Sequence, residues 1–247
     1  MDEQTREYGQ MNLTLPHDVV PLPSGGIFYR NKKKSVKVGY LTASDENILL
    51  GGTENMIISL LRAKIYEPDM RPDEMLEGDI EAILIFLRNT SFGPELNLTL
   101  TDPATNKQFK ATVTLDQLPI IKNLDPDADG TFTTKLPKTG HEVKLKLLTY
   151  GEILDISKAA DSYPPGVVFP KVTHRLQKEI VQINNTTDKG EIAKIIEQMP
   201  ITDSKHIRRF LNENEPRLNL LKTVRTPSGE NLTVNVGFGA EFFRPFF

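Results

Sequence analysis

The sequence contains no cysteine, which excludes disulfides, thiol nucleophiles and thiolate zinc sites. Histidine is scarce: the four, at positions 17, 141, 174 and 206, never fall at i, i+4 spacing and leave little to hold a metal. No apolar run approaches the roughly 20 residues that a membrane-spanning helix needs. Met1-Asp2-Glu3-Gln4 lacks the basic and apolar regions of a secretory signal, so the expected place of synthesis is the cytosol. Neither sign of charge dominates. With 30 basic and 33 acidic residues the net charge is −3, which gives no reason to expect a nucleic acid or a membrane surface as partner. The common catalytic signatures are missing too: there is no Walker loop, dinucleotide-binding glycine fingerprint, zinc-protease helix or nucleophile-elbow pentapeptide. The expectation is a protein with no cofactor and no catalytic constellation.

What is present is alternation and capping. Val36, Val38 and Tyr40 alternate with Lys37 and Gly39, the period of a half-buried strand. Thr42 then precedes Asp45 and Glu46 at capping distance and opens a helix through Leu50. The same order recurs about a hundred residues on. There Val143 to Leu147 alternates, Leu148-Thr149 precedes Glu152, and an apolar helix follows.

Residues 1–21 are polar with Pro16 and Pro21 and predict an N-terminal arm. Leu22-Pro23-Ser24-Gly25-Gly26 is a turn, and Ile27-Phe28-Tyr29 is expected to pair across Asn31-Lys32-Lys33-Lys34 with the strand at Val36. Met56 to Ala63 has helical spacing. Asp79 to Arg88, with acids first, Arg last and apolar residues nearly all round, predicts a helix buried on more than one side. Leu96 to Thr101 and Phe109 to Leu115 both alternate about a turn at Asp102 to Lys107 and predict a hairpin burying Phe109, Ala111, Val113 and Leu115. Residues 116–129 are rich in Pro and Asp and mark a boundary. Beyond it, Phe132 to Lys135 and the strand at Val143 flank the turn Leu136 to Gly140. Helices are expected over Glu152 to Ala160, His174 to Ile183, Glu191 to Met199 and Ile207 to Leu211, the last capped by Thr202 or Asp203. A second hairpin turns at Thr226 to Asn231.

The two halves agree in order at five places. The turn at Leu22 answers that at Leu136, and Leu41-Thr42 answers Leu148-Thr149. Asp79 leading to Phe86-Leu87 answers Asp203 leading to Phe210-Leu211. Pro94 to Leu98 answers Pro216 to Leu220, and the hairpin turn at Pro103 answers that at Pro227. The reading is an internal duplication. The fold expected is α+β: two tandem related modules of β-hairpins packed with short helices, over residues 22–118 and 132–247, joined by a linker over 119–131.

Two local motifs suggest chemistry. Asp125-Pro126-Asp127-Ala128-Asp129-Gly130 matches the first half of an EF-hand loop, but the twelfth position, where the bidentate acid belongs, is Leu136. An acidic turn is the better reading. Asp203, Ser204 and His206 hold the residue types of a hydrolytic set, yet in one helical turn they read as caps and solvated face. The C-terminal sequence is more informative. Phe242, Phe243, Phe246 and Phe247 place four of the twelve Phe around Arg244-Pro245, and such a cluster must be buried in its own core or in a partner. Phe242, Phe243, Arg244, Phe246 and Phe247 are therefore the candidate partner-binding residues.

Leu136 to Val143, with Leu148-Thr149 and Glu152, together with Phe242-Phe243-Arg244-Pro245, resembles the T4-type bacteriophage baseplate hub protein family. Members of such families often carry Cys pairs in the hairpin turns, whereas these turns read Asp102-Pro103-Ala104-Thr105 and Thr226-Pro227-Ser228-Gly229. A zinc role is accordingly dropped. The resemblance implies a non-enzymatic component of a contractile phage tail, a structural or assembly protein of the baseplate hub, made in the host cytoplasm and located in the virion baseplate if structural. Its implied partners are other baseplate or tail proteins, with a homo-oligomer as a further option. The alternative is a tail assembly chaperone that binds the tape measure protein and leaves.

Overall fold

The computed structural model describes residues 16–50, 56–121, 126–238 and 240–243. The architecture is α+β, as expected, and its first strand comes from an unexpected place. β1 (His17–Pro21), inside the predicted arm, pairs antiparallel with β2 (Ser35–Gly39), His17 lying opposite Gly39 and Pro21 opposite Ser35. Ile27-Phe28-Tyr29 is not a strand, and residues 22–34 run instead as successive turns. Gly25 and Gly26 cause this: both take left-handed φ, +61° and +75°, and a Cβ on Gly26 would lie 2.2 Å from the Lys33 carbonyl oxygen.

α1 (Ala43–Leu50) starts where Asp45 accepts from the amide and hydroxyl of Thr42, both at 2.7 Å, and forms a buried ion pair with Lys64. Lys64 ends α2 (Met56–Lys64), after which Ile65 forms a single bridge to Val38 of β2. The expected buried helix is α3 (Glu77–Phe92), longer than its apolar centre. Ile80, Ile83, Leu84, Ile85 and Leu87 are all inside, covering most of its circumference. It stops at Gly93, whose φ of +80° suits glycine. β3 (Glu95–Thr101) and β4 (Gln108–Thr114) form the expected hairpin, with Val113 and Leu115 fully inside and Phe109 and Ala111 packed at its margin.

After the short β5 (Ile120–Ile121), β6 (Phe132–Lys135) and β7 (Glu142–Leu145) pair across the Leu136 to Gly140 turn. α4 (Tyr150–Asp161) has a complete capping box between Thr149 and Glu152. The helix expected over His174 to Ile183 is two elements: α5 (Lys171–Glu179) passes directly into β8 (Ile180–Ile183), which adds to the open edge of β7. Ile180, Val181 and Ile183 are β-branched and suit a strand, and the unpaired backbone of β7 supplies the partner. α6 (Lys189–Glu197) is capped by Asp188. α7 (Ile201–Asn214) contains Asp203 as its third residue rather than at its cap, and the residue at the cap, Pro200, makes no side-chain hydrogen bond there. β9 (Arg217–Leu218) pairs with β5, and β10 (Leu221–Arg225) with β11 (Asn231–Asn235), before a 3-10 turn over Ala240–Phe243.

Two apolar cores result. The first gathers Val36, Val38, Leu60, Leu61, Ile83, Leu87 and Leu115 together with Leu220, Val224, Val236, Phe242 and Phe243, so these last five residues pack beside elements more than a hundred residues earlier. The second holds Phe132, Leu136, Val143, Leu145, Leu176, Ile183, Ile192, Ile196, Ile207 and Leu211, and takes Leu76 from the start of α3.

Candidate functional site

The residues that join the two cores form a seam. Leu76 and Thr149 make a single backbone bridge, and the Tyr150 amide donates to the Met75 carbonyl at 2.7 Å. Two glycines let the chains approach this closely. A Cβ on Gly78 of α3 would lie 2.1 Å from the Pro216 carbonyl oxygen, and one on Gly151 of α4 would lie 2.7 Å from that of Asp73. Each sits in the first turn of a helix and is pressed by backbone from the other side of the seam. Replacing Gly78 by alanine is expected to lower stability by about 1–3 kcal/mol, through overpacking that offsets the gain in helix propensity. Urea denaturation followed by circular dichroism reads the change, and an unchanged midpoint would contradict the close approach.

Charge is concentrated on the same seam. Glu77 and Glu81 of α3, Arg175 and Glu179 of α5, Arg208 of α7, Glu215 and Arg217 lie within mutual influence. Burial, then Glu77 and Glu215, pushes the Glu81 carboxyl up to about 7. Burial and Glu77 push Glu215 up to about 7 as well, against Arg175 and Arg217. Burial also raises Glu77 and Glu179, with Arg175 opposing both. Arg175 Nε donates to Glu179 at 2.6 Å, while the second Glu179 oxygen is buried with no hydrogen-bond partner among the described residues. A cleft of about 210 Å³ opens here, lined by Leu147, Arg175, Glu179, Arg208 and Glu215 among others. Burial at this seam therefore favours the neutral form of its carboxyls, and Arg175 and Arg217 favour the charged form.

One carboxylate in each half ties a turn to a helix. Asp79, fully buried in α3, accepts from the Ser24 amide at 2.8 Å, the Ser24 hydroxyl and the Tyr29 phenol, whose oxygen accepts in turn from the Leu76 amide at 3.0 Å. Burial and the Asp79 charge push the Tyr29 phenol far up, so it stays a donor. Asp203, fully buried in α7, accepts from the Lys138 amide at 2.7 Å and from the Thr139 amide and hydroxyl at 3.0 and 2.8 Å. Burial acts against its ionisation, yet these donors hold it below the usual carboxylate range. A third carboxylate, Asp102, spans the two hairpin turns, accepting from the Ser228 amide and hydroxyl at 3.1 and 3.0 Å and from the Ala104 amide at 2.9 Å. The turns at Asp102 and Thr226 therefore hold one another directly. Nothing in the spacing of either hairpin announces that contact, because it joins residues 126 apart.

The residues singled out from sequence fall in different places. Asp203, Ser204 and His206 do not converge: Asp203 points to the 138–139 turn, Ser204 donates to the Ile201 carbonyl, and His206 bonds Thr134 at 3.1 Å. Asp127 and Asp129 accept from Thr133 and Thr131, and Asp129 pairs with Lys144 at 2.6 Å, while Asp125 lies outside the described residues. Among the described residues no group of three or more His, Asp or Glu is placed to hold a metal ion. Phe242 and Phe243 are buried in the chain's own first core. Phe242 meets Phe238 and Phe243 edge-on with centroids 4.8 and 4.9 Å away, and the Arg88 guanidinium stands 5.7 Å from its ring. Their burial satisfies the demand that an aromatic cluster leave water without calling on a partner. Arg244, Phe246 and Phe247 lie outside the described residues. Among the exposed apolar side chains are Tyr163, Val167 and Val168 between α4 and α5 and Val172 in the first turn of α5, Val168 being 89% exposed.

A family model described as T4 bacteriophage base plate protein matches residues 22–244. No curated protein and no solved structure matches the chain. The family match begins at the Leu22 turn and runs through both cores, the seam and the second hairpin.

Proposed function

We propose that this chain, which belongs to the T4 bacteriophage base plate protein family, serves in the hub of a contractile phage tail as a structural or assembly component. It acts through protein–protein contacts, without catalysis or cofactor, after synthesis in the host cytoplasm. The observation that carries the reading is the extent of the family match, residues 22–244, which takes in nearly every element of the fold. The two carboxylate ties, Ser24 to Asp79 and Thr139 to Asp203, support the further proposal that the two halves arose by duplication. In both, a Leu-Pro turn donates to an aspartate in the first turn of a long helix. A duplicated unit assembled as a trimer would offer six related faces, which suits a junction between threefold and sixfold parts of a tail.

A second reading, a chaperone that holds the tape measure protein and then leaves, draws on the exposed Val167 and Val168, which suit a transient apolar contact. Quantitative mass spectrometry of purified virions separates the two. Fixed stoichiometry relative to other baseplate proteins is expected for the hub role, and absence from particles that required the chain for assembly would establish the chaperone role. Arg244, Phe246 and Phe247 remain proposed partner contacts, and in the same measurement a chain lacking residues 244–247 is expected to stay soluble and be lost from particles.

A further inference from the structure

Where the N-terminal part of α7 meets the Leu136 to Gly140 turn, a cleft of about 590 Å³ is lined by Pro137, Thr202, Lys205, His206 and Arg209. Every charged side chain in that lining is basic. Lys205 and Arg209 are four residues apart on α7 and share one exposed face. Lys135 and Lys138 stand exposed at the adjoining turn, which the Asp203 carboxylate holds against the helix. Among the described residues Lys135, Lys138 and Lys205 have no acidic side chain within ion-pair distance, and Arg209 reaches Glu213 only at 3.9 Å. His206 bonds Thr134 and stacks on Phe210, so its ring forms a fixed wall.

A chain of net charge −3 thus sets two cations, Lys205 and Arg209, in the lining of one preformed cleft, with the exposed Lys135 and Lys138 at the adjoining turn. Like charges held this close repel, and a ligand that brings carboxylates relieves the repulsion. The cleft is short and its cations lie in one cluster rather than along a stripe, and the chain's overall negative charge opposes a long polyanion. A short acidic segment of a protein fits these features better than a nucleic acid does. We propose that this cleft binds an acidic segment of a neighbouring protein, with two carboxylates of that segment reaching Arg209 and Lys205. This rests on the reading that the chain works through protein contacts, and it names the chemistry of one contact.

The test uses the full purified chain and a fluorescein-labelled peptide rich in Glu and Asp, with the Gln and Asn version as control, read by fluorescence anisotropy. Saturable binding of the acidic peptide alone is expected, weakening as salt is raised. The Lys205→Glu, Arg209→Glu double variant, confirmed folded by circular dichroism, is expected to bind at least about tenfold more weakly. If that variant fails to fold, Lys205→Gln, Arg209→Gln is measured in its place with the same expectation. No saturable binding, or binding unchanged in the folded variant, overturns the proposal. So does a labelled single-stranded oligonucleotide that binds more tightly and is lost in the same variant. Any of these outcomes leaves the virion measurement to decide the hub role separately, so the two failures are distinguishable.

Discussion

Replacing Asp79 by alanine is expected to lower the unfolding free energy by about 4 kcal/mol, and Asp203→Ala by a similar amount. Hydrogen bonds to a buried charged group contribute about 1.5–3 kcal/mol each, and truncation leaves the donors without an acceptor. At Asp79 those donors are the Ser24 amide, the Ser24 hydroxyl and the Tyr29 phenol; at Asp203 they are two amides and the Thr139 hydroxyl. No water replaces the lost carboxylate oxygens easily, since both residues are fully buried. Asparagine keeps the volume and one acceptor and is expected to cost less than alanine at either site. Because the Asp203 carboxyl sits below the usual range, its contribution is present above about pH 4 and is lost as pH falls through its folded-state pKa. Chemical denaturation of the four single variants at neutral pH checks the ranking. An alanine variant within about 1 kcal/mol of the parent would show that the tie does not hold its turn.

The seam carboxyls give the opposite dependence on pH. Glu81 and Glu215, each raised from 4.5 to about 7, hold protons in the folded chain that the unfolded chain has released. Between those values the folded state binds more protons, so stability falls as pH rises and levels off above about 7. A shift of this size corresponds to about 3 kcal/mol for one isolated group. The pair is coupled through Glu77 and opposed by Arg175 and Arg217, so the two together are expected to contribute about that much rather than twice it. Glu81→Gln, Glu215→Gln should flatten the stability profile between about pH 5 and 8 and raise stability at the alkaline end. Glu179, Arg208 and Tyr150 also face this region and stay unchanged in the variant. Urea midpoints across that range provide the measurement, and a variant whose profile keeps the parent slope would remove these two carboxyls as the source.

Local grammar was legible wherever one short stretch carried the whole cause. Alternation over Leu96 to Leu115 placed both strands of the first hairpin, and Thr149 with Glu152 is the capping box that the spacing predicts. The failures share a different character. Ile27 to Tyr29 looked like a strand, but two left-handed glycines turn the chain before it, and the pairing partner is His17–Pro21. His174 to Ile183 reads as one helix until the free edge of β7 draws Ile180–Ile183 into a sheet. Asp203 had the residue type and position of a cap, yet its acceptor capacity is used by a turn 64 residues earlier.

The phage family was within reach of sequence because the resemblance rested on short turns, caps and the Phe242-Phe243-Arg244-Pro245 segment, all local and all readable from residue order, and the family model matches residues 22–244. The α+β class followed from the same alternating periods. Tertiary structure alone decided that Phe242 and Phe243 enter the first core, that Asp102 links two hairpin turns, and that Glu81 and Glu215 face each other's field across the seam. The physical reason is range. Periodicity and capping depend on neighbours within a few positions, whereas burial, carboxyl pKa and the cationic cleft at Lys205 and Arg209 depend on which distant segments the fold brings within a few ångströms.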